Sequence, residues 1–162
     1  MPLKDNKKTG GRSSVFLHIT GYIFITVFFL VVGFLLIPKL IGYKTYDIIS
    51  ASMEPEIPVH SLVYVKEVDP FELEEGDIIT FNYYDAIVTH RIVNNDKEEQ
   101  VLRTKGDMNE IEDMRDTVYD DVIGKVTYHI PYLGLLGAYL DSFIAKIILV
   151  IFGLVGLIMT GI

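Results

Sequence analysis

Cysteine is absent from the 162 residues, which rules out a disulfide framework, a thiol nucleophile and a Cys-ligated zinc site. The lack of thiols also fits a domain outside the cytoplasm. Formal charge is missing from Val15 to Ile37, 23 consecutive residues that include Phe16, Ile19, Ile23, Phe24, Val27, Phe28 and Leu30. Basic residues are scarce in the middle of the chain. Residues 38–143 carry nine Lys/Arg against 21 Asp/Glu, a balance of −12 in a chain whose net charge is −8. A region that acidic is a poor nucleic-acid partner, because such binding relies on Lys/Arg neutralising phosphates. No internal repeat is visible.

The charge-free run is long enough to matter. As a helix rising roughly 1.5 Å per residue it covers about 34 Å, enough to cross a hydrocarbon core of about 30 Å. Pro38 and Lys39 close it. A cleaved signal peptide would have a shorter apolar core, about 7–15 residues, and a small-residue cleavage site that Leu36-Ile37-Pro38-Lys39 does not supply. Residues 15–37 are therefore expected to be an uncleaved transmembrane helix. Residues 1–14 carry Lys4, Lys7, Lys8 and Arg12 against Asp5 and read as a disordered basic tail, cytoplasmic by the positive-inside rule. His18, near that end, reads as a neutral, solvated interfacial histidine. Residues 144–162 form a second spanning candidate, with Lys146 able to snorkel to the interface. Residues 131–143, apolar with two tyrosines, suit the bilayer surface. Two spans return the C-terminus to the cytoplasm and leave residues 38–143 on the outer face, a multi-pass arrangement in the cell membrane.

Between the spans the pattern is that of strands, after a connector over residues 38–49. Runs at Leu62–Lys66, Asp77–Tyr83, Ile87–Val93, Gln100–Thr104 and Val122–Tyr128 are short and rich in Val, Ile, Tyr and Thr, with Asn94-Asn95-Asp96-Lys97 as a hairpin turn. They predict a mainly β fold, a small antiparallel sheet system or barrel flanked by two transmembrane α-helices. Residues 107–121 are irregular and acidic, and read as a solvated loop. Their spacing lacks the glycine and terminal glutamate of a calcium-binding loop.

Chemistry concentrates in a few places. Ser50-Ala51-Ser52-Met53-Glu54-Pro55 follows closely on the first apolar run. A serine becomes a nucleophile only with an adjacent base, and a second hydroxyl nearby can join its backbone N–H in binding an oxyanion. A solvated turn is the plain alternative. His90 stands in the run Ile87–Val93, where alternation places it with Val88 and Ile92 on one face. It is the only histidine in a predicted mid-domain strand. It suits a general base near neutral pH, although a satisfied core histidine would sit the same way. A Ser–His pair wants a carboxylate to hold the ring. Asp107, Asp113 and Asp116 all qualify, and spacing does not choose among them.

Taken in order, Ser50–Pro55, Gly76-Asp77-Ile78-Ile79-Thr80-Phe81, Thr89-His90-Arg91-Ile92 and Thr104-Lys105-Gly106-Asp107-Met108-Asn109 with Asp113 resemble type I signal peptidases. The motifs cover about residues 45–135. They match the branch of archaea, the endoplasmic reticulum and some spore-forming bacteria, in which a histidine replaces the lysine of the commoner bacterial branch. The resemblance implies a β-rich catalytic domain and a serine endopeptidase that removes signal peptides from secreted preproteins without metal or cofactor. It makes Ser52 the nucleophile, His90 the general base, Asp113 the triad acid and Asp107 a second important aspartate. Ser50, with the Ser52 amide, would form the oxyanion hole. Arg91 would support the site, and Lys105 would be structural. Preproteins and the lipid bilayer are the implied partners, and there is room for an accessory membrane subunit. One departure stands out: the family often has Gly-Asp where this chain has His60-Ser61, and His60 receives no catalytic role. Two other classes compete: a non-enzymatic tethered β domain that binds through its acidic face, and a self-cleaving serine protease with Lys105 as base.

Overall fold

The computed structural model describes residues 10–135, 139 and 142–161. The chain divides into two compact units, Pro38–Leu140 and the segments that flank it. Residues 1–9 of the expected basic tail (1–14), Ile162 and residues 136–138, 140 and 141 of the expected surface segment lie outside the described residues, whereas 10–14, expected to be disordered, are helical.

The flanking unit contains two helices, α1 (Gly10–Leu40) and α2 (Phe143–Thr160), each long and apolar enough to cross a membrane. Helix α1 begins five residues before the charge-free run and carries Pro38 in its last turn. Ser142 caps α2, its hydroxyl accepting from the Ala145 N–H at 3.2 Å. The helices approach closely where glycines face each other. A Cβ on Gly21 would lie 2.9 Å from the Gly156 carbonyl oxygen, and Phe24 stacks on Phe152 with centroids 4.1 Å apart. His18 is exposed.

The other unit is a seven-stranded antiparallel sheet in the order β1-β2-β7-β3-β4-β5-β6. Its strands are β1 (Tyr43–Asp47), β2 (Leu62–Lys66), β3 (Ile78–Tyr83), β4 (Ala86–Asp96), β5 (Val101–Lys105), β6 (Thr117–Val118) and β7 (Val122–Ile130). The molecule is mainly β with two flanking apolar helices. One core cluster joins Ile48, Met53, Ile57, Val63 and Val65; the other joins Leu73, Ile79, Phe81, Ile92 and Leu102.

Three differences from the expected strands have physical causes. The connector holds a strand, β1, whose charged Lys44 and Asp47 are tolerated because it lies at a sheet edge. The acidic loop likewise contains β6, two residues at the opposite edge. Strand β4 runs three residues past Val93, because its polar end is held by side chains rather than solvated. Asn95 Nδ2 donates to the Leu73 carbonyl at 2.8 Å, and a bulge between Ile92 and Asn94 keeps β5 in register. β7 also reaches Ile130, so His129 is a second strand histidine.

Candidate active site

Strand β1 delivers the chain into a loop, residues 48–61, that folds back on its own start. Ile48 N–H donates to the Ser61 carbonyl at 3.0 Å, and His60 N–H donates to the Ile48 carbonyl at 2.7 Å. Two apolar plugs hold the loop down: Met53 is 1% exposed and Ile57 fully buried. Ser52 therefore sits one residue before a core side chain, which orients its backbone while leaving its hydroxyl half-buried at a cleft.

The second piece comes from β4, paired along Ala86–Arg91 with β3. His90 is inward, 7% exposed. Its Nε2 lies 3.1 Å from Ser52 Oγ and its Nδ1 lies 2.7 Å from Asp113 Oδ2. The third piece is the segment after β5. Asp113 N–H donates to the Thr104 carbonyl at 2.9 Å, while Thr104 Oγ1 donates to Asp113 Oδ2 at 2.6 Å. Met108 N–H donates to the Ser52 carbonyl at 2.9 Å, so this segment also grips the backbone of the serine. Gly106 permits that approach, since a Cβ there would fall 2.7 Å from the same carbonyl oxygen.

The protonation pattern follows from charge. Burial pushes the Asp113 carboxyl upward, but hydrogen bonds from His90 and Thr104 and the imidazole's charge outweigh it, and the net shift is downward. Asp113 is thus an anion near neutral pH and can only accept. In the neutral ring Nδ1 must then carry the proton, which leaves Nε2 as an acceptor toward Ser52 Oγ–H. Ser50 Oγ lies 3.2 Å from Ser52 Oγ, long for a hydroxyl–hydroxyl bond.

The three carboxylates that spacing left open now separate. Asp113 meets His90. Asp107 instead accepts both arms of Arg91, from Nε at 2.8 Å and Nη2 at 2.7 Å, while Arg91 Nη1 reaches the Gly76 carbonyl at 2.8 Å. The Asp107 hydrogen bond is the main cause that raises the Arg91 guanidinium further above its ordinary value. This fork joins the Gly-Asp turn, the His-Arg strand and the Lys-Gly-Asp segment without touching the imidazole. Asp116 faces Arg103 at 3.6 Å. Lys105 pairs with Arg91 in the strand register, which by alternation puts it on the face away from His90.

The cleft above Ser52 and His90 encloses about 380 Å³, with Tyr46, Ile48, Met53, Tyr83, Ile87 and Val88 among its walls. Strand β5 pairs with β4 only from Arg91 onward, so Ala86–His90 has strand partners on one side only among the described residues. Among those residues no group of three or more His, Cys, Asp or Glu is placed to hold a metal ion. Sequence reasoning quoted Thr104, Met53 and Gly106 only as parts of motifs and gave them no role. A buried threonine on an alternating strand carried a faint signal, and the other two carried none as single residues.

No protein-family model matches the chain. A stretch of 76 residues is 46% identical to signal peptidase I W of Bacillus subtilis (strain 168). The match covers 44% of this chain and 40% of the relative, so the chain spans well under half the length of the curated relative it matches. That similarity supports the type I signal peptidase resemblance, in the Bacillus-type branch.

Proposed function

We propose that this chain is a membrane-bound serine endopeptidase that cleaves N-terminal signal peptides from secreted preproteins on the outer face of the membrane. The observation that carries the reading is the continuous hydrogen-bonded line Ser52–His90–Asp113 at the floor of an apolar-walled cleft. A preprotein strand lies extended against the unpaired edge of β4 at Ala86–His90, adding to the sheet by main-chain hydrogen bonds. Small side chains at the first and third positions before the cut fit shallow apolar pockets.

Ser52 Oγ attacks the scissile carbonyl as His90 Nε2 takes its proton. Asp113 remains ionised, holds the ring by Nδ1 and stabilises the imidazolium. The Ser52 amide and the Ser50 hydroxyl bind the oxyanion. His90 then protonates the leaving amine. A water, deprotonated by the same ring, attacks the acyl-enzyme ester. As the bond to Ser52 Oγ breaks, the ring returns the proton to Oγ and the carboxylate product leaves. Asp107 acts at one remove, bracing Arg91, the residue that follows His90 on β4. The helices α1 and α2 span the bilayer with both termini cytoplasmic, which holds enzyme and preprotein in one plane and fixes the depth of the cut.

The test is cleavage of a preprotein in membranes by the wild type and by inserted Ser52→Ala, His90→Ala and His90→Lys variants. Each alanine variant should lose on the order of 10⁴-fold or more of the rate. Near-normal cutting by His90→Ala would move the base elsewhere, with Lys105 the first suspect. Near-normal cutting by Ser52→Ala as well would leave a binding module.

A further inference from the structure

We infer that Thr104 is a positioning residue, whose hydroxyl fixes the Asp113 carboxylate oxygen that faces His90. For its kinetic consequences the inference rests on the Ser–His–Asp reading above.

Thr104 is 1% exposed on β5, opposite Ile92, which lies two residues from His90 on the same face of β4. It holds Asp113 at two points, by its carbonyl on the Asp113 N–H and by its hydroxyl on Oδ2. Asp113 belongs to an irregular segment, and the terminal torsion of an aspartate is broad, so a loop alone does not aim its carboxylate. Here the Thr104 hydroxyl and the His90 ring converge on the same oxygen, Oδ2. The hydroxyl thus does two things. It turns Oδ2 toward Nδ1, and it supports the anion that holds the ring in the tautomer able to accept the Ser52 proton. The remaining buried hydroxyl pair nearby, Thr80 with Thr89 at 2.9 Å, is self-contained and makes no such link.

Valine at 104 keeps the branched shape and removes only the donor, whereas serine keeps the donor and removes a methyl group. In the full chain in detergent micelles, Thr104→Val should lower kcat for preprotein cleavage about tenfold, with KM within about twofold, while Thr104→Ser stays within about threefold of wild type. Independently of cleavage, the side-chain carboxyl carbon of Asp113, followed by NMR against pH, should titrate higher in Thr104→Val and unchanged in Thr104→Ser, because a hydrogen bond to the charged form is lost only in the first. The ionisable side chain in contact with Asp113 is His90, so its ring is followed in the same titration. Equal kcat and an unmoved Asp113 midpoint in Thr104→Val would overturn the inference. A loss in Thr104→Ser as large as in Thr104→Val would also overturn it, by assigning the effect to packing. Should the valine variant not fold, Thr104→Cys, with its weak S–H donor, replaces it and is expected to fall between the two. If the wild type cuts no preprotein, the peptidase reading fails, and the Asp113 titration still decides the role of Thr104.

Discussion

The segments on either side of His90 are both irregular, yet opposite forces hold them. The serine loop, residues 48–61, is pinned by apolar plugs, with Met53 and Ile57 sunk in the core. The acid segment, residues 106–116, is pinned by polar contacts: Thr104 of β5 on Asp113, Asp107 on Arg91, and Met108 N–H on the Ser52 carbonyl. Its own apolar side chains face outward, with Ile111 67% and Met114 93% exposed. Burial of hydrocarbon is insensitive to protons, whereas a carboxylate with two donors on one oxygen is not. The place of Ser52 should therefore be a matter of packing, and that of Asp113 a matter of charge.

The largest effect should come from removing that charge. Asp113→Asn keeps the shape but can donate where Asp113 only accepts, which invites the wrong imidazole tautomer. Preprotein cleavage should fall on the order of 10³–10⁴-fold. Asp113 also predicts an acid limit to stability. Its folded pKa is depressed, so its contribution is complete above the ordinary aspartate value of about 3.9 and is lost as pH falls through the lower folded value. The thermal midpoint of the wild type should drop below about pH 4 more steeply than that of Asp113→Asn. Parallel curves for the two proteins would mean that the acid segment is held by something other than its charge.

Next in size is the converse experiment on the serine loop. Met53→Ala opens a cavity beneath Ser52 and should cost about 2–5 kcal/mol, with no pH dependence of the difference between pH 4 and 8. Met114→Ala, on the exposed side of the acid segment, should change stability by less than about 0.5 kcal/mol. Chemical or thermal unfolding of the full chain reads both. A large loss at Met114 would show that the acid segment depends on apolar packing as well, and the contrast between the two segments would collapse.

The same contrast explains what was legible in the sequence. Ser52 and His90 could be singled out as candidates because residue type and strand alternation marked them, while their proposed roles came from the family resemblance. The two long apolar helices and most strands were legible from long apolar runs and β-branched clusters. The acid was not legible from spacing, since Asp107, Asp113 and Asp116 differ only in which donor each meets, and that is settled by chain folding after β5. Strand β1 was hidden because an edge strand buries too little to show a pattern, and its Tyr43 and Tyr46 stand among charged neighbours. The far end of β4 was hidden by a composition, Asn-Asn-Asp, that normally marks a turn. Here Asn95 spends its polarity on the carbonyls of Pro70 and Leu73.

A remaining effect concerns His60, where this chain departs from the Gly-Asp of the family it resembles. His60 has φ of 65°, in the left-handed region that costs a side-chain-bearing residue roughly 1–2 kcal/mol, and glycine almost nothing. Its Nδ1 is also buried without a hydrogen-bond partner, a further cost that glycine would remove. Against these gains stands the greater freedom of glycine in the unfolded chain, about 0.5–1 kcal/mol. His60→Gly should therefore stabilise the protein by about 1 kcal/mol or more, read as a rise in unfolding midpoint, with preprotein cleavage unchanged. Loss of cleavage at unchanged stability would instead give His60 a part in the site. The serine loop would then depend on a polar group as the acid segment does, and the two segments would no longer differ in kind.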